Sequence, residues 1–177
     1  VAGVARGRRL AVPPGRSVRP TADRVREALF NALGSMGAVD GATVLDLFAG
    51  SGALGIEALS RGAAHATFVD SDAAAVACVR ANLATSGLDD RATVVRADAI
   101  GWLGAAPRHE VALLDPPYRF DRWTELLAAV EADLVVIESD RPIDLPDGWE
   151  VVRDRRYGST FVRVARCLSS GDGQEVP

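Results

Sequence analysis

The stretch Val44–Gly55, VLDLFAGSGALG, constrains this chain more than any other. A short apolar run, Val44 to Phe48, carries one acid, Asp46, and leads into Gly50-Ser51-Gly52. An alanine- and leucine-rich segment at helical spacing follows. That order predicts a strand, a tight glycine turn and a helix N-terminus. Glycines there let the backbone turn sharply and approach a ligand closely. Gly50, Gly52 and Gly55 match G-x-G-x-x-G, and Asp70 stands twenty residues after Gly50, where an acid can take a ribose diol. Taken alone, this spacing is also a dinucleotide signature, so a dinucleotide-dependent oxidoreductase stays open.

Around this unit, strands and helices alternate. Strands are expected at about 43–48, 64–69, 92–96, 111–114 and 134–137. Helices are expected at about 53–61, 72–86, 100–103 and 123–130. Segments 149–153 and 160–166 alternate around Tyr157-Gly158-Ser159 and read as a closing hairpin. The alternation predicts a parallel α/β sheet with helices on both faces. Such sheets bind ligands beyond the carboxyl ends of their strands. Asp46, Asp70, Asp98 and Asp115 all come from that edge.

Ahead of the sheet, residues 1–12 read as a small extended segment and Pro13-Pro14-Gly15 as a turn. A helix then starts at Pro20-Thr21, with Thr21 as N-cap and Asp23 in the first turn. Val25, Leu29, Leu33 and Met36 form its apolar stripe, Arg24 and Arg26 fall off it, and Phe30 and Asn31 are placed at the mouth of a site. The Pro, Gly and Arg content of the front segment suggests mobility. The division expected is an N-terminal extension at 1–36, a main domain at 37–167 and a flexible tail at 168–177.

Composition narrows the class. A chain of 177 residues with 48% hydrophobic content supports one domain with a real core. It has no uninterrupted run of 18 apolar residues and no apolar signal core behind the first arginines, so no membrane association is expected. Cys78 and Cys167 do not make a disulfide framework, which suits a cytoplasmic protein. No Cys/His set has metal-ligand spacing, and no metal is expected. All 20 basic residues are arginine. Residues 1–30 hold Arg6, Arg8, Arg9, Arg16, Arg19, Arg24 and Arg26 against Asp23 and Glu27, a balance of +5, whereas the remainder balances at -9. An acidic protein with a basic front can lay one patch on a phosphate backbone.

The second motif is Asp115-Pro116-Pro117-Tyr118. Two prolines make the backbone rigid just past a strand end. The Asp115 carboxylate and the Pro116 carbonyl then offer two acceptors to one planar NH2 group. An exocyclic base amine is a poor nucleophile because its lone pair is delocalised into the ring. Hydrogen bonds from both N–H groups favour a pyramidal nitrogen and aim its lone pair, and alignment supplies much of the rate. Tyr118 provides a face for stacking a base turned into a pocket. Beside the glycine turn, this narrows the ligand to a methyl donor. Asp46 can hold the turn or the charged methionine part of S-adenosylmethionine. Asp70 can take its ribose, and Asp98 with the Ala99 amide its adenine. A DNA or RNA adenine-N6 methyltransferase shares both motifs, and a non-catalytic RNA-binding protein would share the arginines alone.

These residues resemble the bacterial 16S rRNA (guanine-966-N2)-methyltransferase family. The likeness lies in GRRL at 7–10, RPTADRVREALFNAL at 19–33, VLDLFAGSGALGIEALSRGA at 44–63, FVD at 68–70, Asn82-Leu83, the DA at 98–99, LLDPPY at 113–118 and VIES at 136–139. It implies a class I S-adenosylmethionine-dependent (Rossmann-like) fold. That fold has a seven-stranded, mostly parallel sheet, a C-terminal antiparallel hairpin and a small N-terminal extension. It implies cofactor contacts at Asp46, Gly50, Ser51, Gly52, Asp70, Asp98 and Ala99. It assigns target-base handling to Asp115, Pro116 and Tyr118. The implied partner is small-subunit ribosomal RNA, more readily in an assembled or assembling 30S particle than as naked RNA, and a monomer is expected. Arg19, Arg24 and Arg26, then Arg8 and Arg9, are candidates for phosphate, with Asn31 and Pro117 beside the acceptor base. Arg61 reads as a helix C-terminal charge, and Trp102, Trp123 and Trp149 as packing residues. Relatives carry a residue or two more before the position of Val1, so a short upstream segment is expected. They often have glutamate where Asp70 stands, and both acids bind a diol.

Overall fold

The computed structural model describes residues 1–13 and 20–168. A seven-stranded sheet runs β3-β2-β1-β4-β5-β7-β6. Its strands are β1 Thr43–Leu47, β2 His65–Asp70, β3 Ala92–Arg96, β4 His109–Leu114, β5 Ala132–Ser139, β6 Trp149–Tyr157 and β7 Thr160–Cys167. The first five pair in parallel, and β7 runs antiparallel between β5 and β6. The strand order reverses between β1 and β4, which is where an open α/β sheet leaves a crevice. Both expected segments of the hairpin are present, and β6 is longer than expected. Its pairing continues to Tyr157↔Thr160 across the Gly158 turn.

Among the described residues five α-helices cover the sheet: α1 Pro20–Ser35, α2 Ala53–Ser60, α3 Ala73–Ser86, α4 Ala99–Leu103 and α5 Trp123–Ala129. One face buries Val44, Phe68, Leu113, Val136 and Val164 against Val25, Leu29, Phe30 and Leu33 of α1 and Ile56, Ala58 and Leu59 of α2. The other face buries Leu45, Leu47, Leu114 and Ile137 against Leu103, Trp123, Leu126 and Leu127. Strand alternation sorts residues between these layers. Helix α1 therefore shares its core with the sheet. Trp123 is buried, and Trp102 and Trp149 pack partly buried on the second layer.

Four expectations for the front end are corrected. Residues 1–12 are not a plain extended segment, because Gly3–Ala5 forms a 3-10 turn. Thr21 lies inside α1, which begins at Pro20, so the N-cap position falls on residue 19, outside the described residues. Met36 follows the last turn of α1 and is exposed, whereas Phe30 is fully buried in the core rather than at a site mouth. The apolar stripe is wider than a single row of i, i+4 positions, since Phe30 and Ala32 are buried beside Val25, Leu29 and Leu33.

Residues 1–13 are also tied down rather than loose. The Ala5 N–H donates to the buried Ser60 Oγ at 2.8 Å, Ser60 Oγ donates to the Ala2 carbonyl, and the Ala2 N–H donates to Glu57. Gly3 has φ +73 and sits so close that a Cβ would lie 1.9 Å from the Ser60 carbonyl oxygen. Leu168 N–H donates to the Gly148 carbonyl, and the rest of the expected tail lies outside the described residues, as do Arg16 and Arg19. No helix among the described residues is long and apolar enough to cross a membrane.

Candidate functional site

The glycine turn is built as its sequence requires. Gly50 has φ 58 and Gly52 φ 77, in the left-handed region that glycine enters without strain. Gly52 is the residue from which α2 departs. Gly55 serves closeness instead, because a Cβ there would lie 2.3 Å from the Phe68 ring. Without it, the Gly55 N–H reaches Asp46 Oδ2 at 2.9 Å. Phe48 was given no role by the sequence. It holds φ 63, a strained value for a residue with a side chain, costing about 1–2 kcal/mol. Its ring meets Phe120 edge-on at 5.2 Å, and Phe120 meets Trp123 at 5.4 Å. The Phe120 N–H also bonds the Pro117 carbonyl at 2.8 Å. Aromatic packing thus joins the glycine turn to the Asp115–Tyr118 loop.

One cleft of about 1020 Å³ is lined by Asp46, Gly50 and Ser51 together with Asp115, Pro116, Pro117 and Tyr118. Glu138, at the end of β5, also lines it. Arg8, Arg9 and Arg26 form part of its rim. Pro116 is buried, and Tyr118 is 45% exposed. The two motifs therefore open into one space.

The remaining acids lie at the same strand edge with defined partners. Asp70 Oδ2 accepts from the Gly50 N–H and Oδ1 from the Asp72 N–H, both at 2.9 Å. Asp98 caps α4, accepting from the Gly101 N–H at 2.9 Å, and Ala99 is buried behind it. Gly52, Asp70, Asp98 and Ala99 are not among the residues lining the cleft. Asn31 is not among them either, and its Oδ1 accepts from Arg61 at 2.9 Å. Arg61 is more than a helix-end charge, since it pairs with buried Glu57 at 2.7 Å. Arg26 pairs with Asp23 at 2.9 Å and approaches Glu57 at 3.6 Å. Arg24 and Arg9 are exposed, and Arg8 donates to the Thr85 carbonyl.

Burial pushes the Asp46 carboxyl up from 3.8 to about 7, the Gly55 N–H pulls it down, and the Asp70 charge raises it further. Because the folded value is raised, this group's contribution to stability is complete below the unfolded value and is lost as pH climbs through about 7. Asp46→Asn keeps an acceptor for the Gly55 N–H and loses the charge. Relative to wild type, the variant is expected to gain stability between about pH 4 and about pH 8, read as urea midpoints across that range. A parallel pair of pH profiles would contradict the assignment.

Sequence reasoning gave Asn82 no role. It is buried on α3, where its Oδ1 accepts from the Ala11 N–H at 2.8 Å. Its Nδ2 donates to the Ala11 carbonyl at 2.9 Å and to the Ser51 carbonyl at 2.8 Å. One amide thus stitches the front segment to the glycine turn. Asn82→Ala strands those partners and is expected to cost about 2–3 kcal/mol in chemical denaturation. It should also speed amide exchange at both Ala11 and Gly52. Exchange that changes at only one of them would show that the two are not coupled.

A sheet of this order, with a glycine turn and an Asp-Pro-Pro-Tyr loop at its switch point, defines the class I methyltransferase fold. Residues 1–166 match the family described as Conserved hypothetical protein 95. "Ribosomal RNA small subunit methyltransferase D" of Escherichia coli K12 is 38% identical, covering 97% of this chain and 91% of its own length. A Bacillus subtilis protein named "Putative rRNA methyltransferase YlbH" is 41% identical over 93% of this chain and 96% of its own. The solved structure of "Putative methyltransferase yhhF" from Escherichia coli matches with a TM-score of 0.83 at 38% identity, over 94% of this chain and 96% of that one. The chain belongs to this family, that of the ribosomal RNA small subunit methyltransferase D proteins.

Proposed function

We propose that the protein transfers a methyl group from S-adenosylmethionine to the exocyclic N2 amine of a guanine in small-subunit ribosomal RNA, within an assembled or assembling 30S particle. The observation that carries this reading is the single cleft lined by both the glycine turn and Asp115–Tyr118. Relatives named as ribosomal RNA methyltransferases support the substrate class. The cleft suits the cofactor: it is large enough for a nucleoside and a turned-out base, and its floor is a buried carboxylate able to meet an ammonium group.

When bound, S-adenosylmethionine supplies an electrophilic methyl group. Asp46, Gly50, Ser51 and Gly52 hold its amino-acid end. Asp70 accepts the ribose hydroxyls while keeping its two backbone donors, since a carboxylate has about four acceptor sites. Asp98 and the Ala99 amide take the adenine. Asp115 and the Pro116 carbonyl accept the two N–H groups of the target amine. The N2 proton becomes acidic only as the nitrogen is methylated, so Asp115 need not be a strong base. Tyr118 and Pro117 bracket the base. Arg8, Arg9, Arg19 and Arg24 meet phosphate, with Arg26 contributing from its pair with Asp23. A monomer in the cytoplasm suffices for this work.

The experiment is mass mapping of methylated nucleosides after incubation with undermethylated small subunits. N2-methylguanosine at one position is expected. N6-methyladenosine would replace this reading with the adenine one. Calorimetry with S-adenosylmethionine against NAD separates both from an oxidoreductase.

A further inference from the structure

Register places Asp46 beside Leu113 and Leu113 beside Val136, all on the face that carries α1 and α2. Two residues further along stand Asp115, just past the end of β4, and Glu138 of β5, on that same face by alternation, whereas Phe48, at φ 63 past the end of β1, packs on the opposite layer. Glu138 is still within β5, opposite Val162 of β7, which is buried in the same layer. Asp115 and Glu138 thus leave neighbouring parallel strands, roughly 5 Å apart, and both line the cleft. Glu138 is half-buried, and burial pushes its carboxyl up. The proposed holding of the amine by Asp115 and Pro116 leaves Glu138 without a role.

We propose that Glu138 is the residue that selects guanine, accepting the N1–H of the base whose N2 amine is held by Asp115 and Pro116. This rests on the reading above. Guanine presents N1–H and N2–H2 as contiguous donors along one edge, which two adjacent carboxylates can divide between them. Adenine presents a lone pair at N1, and so does 2-aminopurine, which keeps the N2 amine. Either base would set that lone pair against a partly desolvated carboxylate and leave the acceptor unpaired. A site built to bond a polar hydrogen rejects analogues lacking it far more strongly than an apolar pocket rejects a misfit.

The test compares small subunits carrying guanine or 2-aminopurine at the modified position. Wild type is expected to prefer guanine by at least about a hundredfold in kcat/KM. Glu138→Gln can turn its amide NH2 toward an N1 lone pair, so its preference should fall to within about tenfold or invert. Glu138→Ala should lower the guanine rate and flatten the preference without the gain on 2-aminopurine. Unchanged preference in both variants, or equal losses on both substrates, overturns the assignment. A wild-type protein that methylates neither substrate overturns the parent reading, and this one with it.

Discussion

Replacing Asp115 with alanine is expected to leave S-adenosylmethionine binding within about threefold of wild type and to lower methyl transfer by about a thousandfold or more. The side chains proposed to hold the cofactor lie on β1, β2 and the turn after β3, while Asp115 follows β4 and lines the cleft. Removing it takes away one of the two acceptors that shape the amine and leaves the glycine turn untouched. The loss should therefore appear in kcat more than in KM for the cofactor. Asp115→Asn should fall between the two, because one amide oxygen still accepts a single N–H. Tritium transfer to small subunits and calorimetry on the same preparations give the two readouts. Strong residual turnover in Asp115→Ala would overturn the mechanism.

Gly55→Ala is expected to have the largest effect on the fold and to disable the cofactor site with it. The added carbon would stand 2.3 Å from Cε1 and 2.7 Å from Cζ of Phe68, a ring with no solvent exposure, and 3.0 Å from Asp46 Oδ2. Neither neighbour is a flexible chain end. Helix α2 must shift away from the sheet, and the Gly55–Asp46 bond goes with it. Overpacking of this kind should cost about 3 kcal/mol. Gly34→Ala is the control. Gly34 is exposed on α1, with nothing within 4 Å of a Cβ, so alanine should be neutral or stabilise by up to about 1 kcal/mol. Urea midpoints for the pair measure the difference. Equal midpoints would show that the close approach of α2 to Phe68 is not what demands glycine.

The succession of strands and helices, the glycine turn and the Asp-Pro-Pro-Tyr loop were legible because each is written in contiguous residues. Periodicity of two or of about 3.6 marks an element wherever it occurs, and β3 falls at 92–96 as expected. What escaped depends on residues far apart in the chain. Glu57 and Ser60 look like ordinary helix polar groups until residues 1–5 fold back on them. Asn82 bonds positions 71 and 31 residues away, and no local pattern announces either. Phe30 and Asn31 are neighbours in sequence, but the helix sends one into the core and the other to Arg61. The front segment reads as mobile from its proline, glycine and arginine, whereas Ala2, Ala5 and Ala11 within its described part find hydrogen-bond partners on α2 and α3. Glu138 sits in a run that resembles the family, yet only the register across β4 and β5 brings it beside Asp115.

The central claim is that donor methyl and acceptor amine meet in the one cleft at the β1–β4 switch. A crystal structure with sinefungin, which carries an amine where the cofactor carries its methyl group, tests that most directly. The amine is expected within about 5 Å of the Asp115 carboxylate and facing the space beside Tyr118. An amine more than about 10 Å from Asp115, or one facing away from that loop, would contradict it.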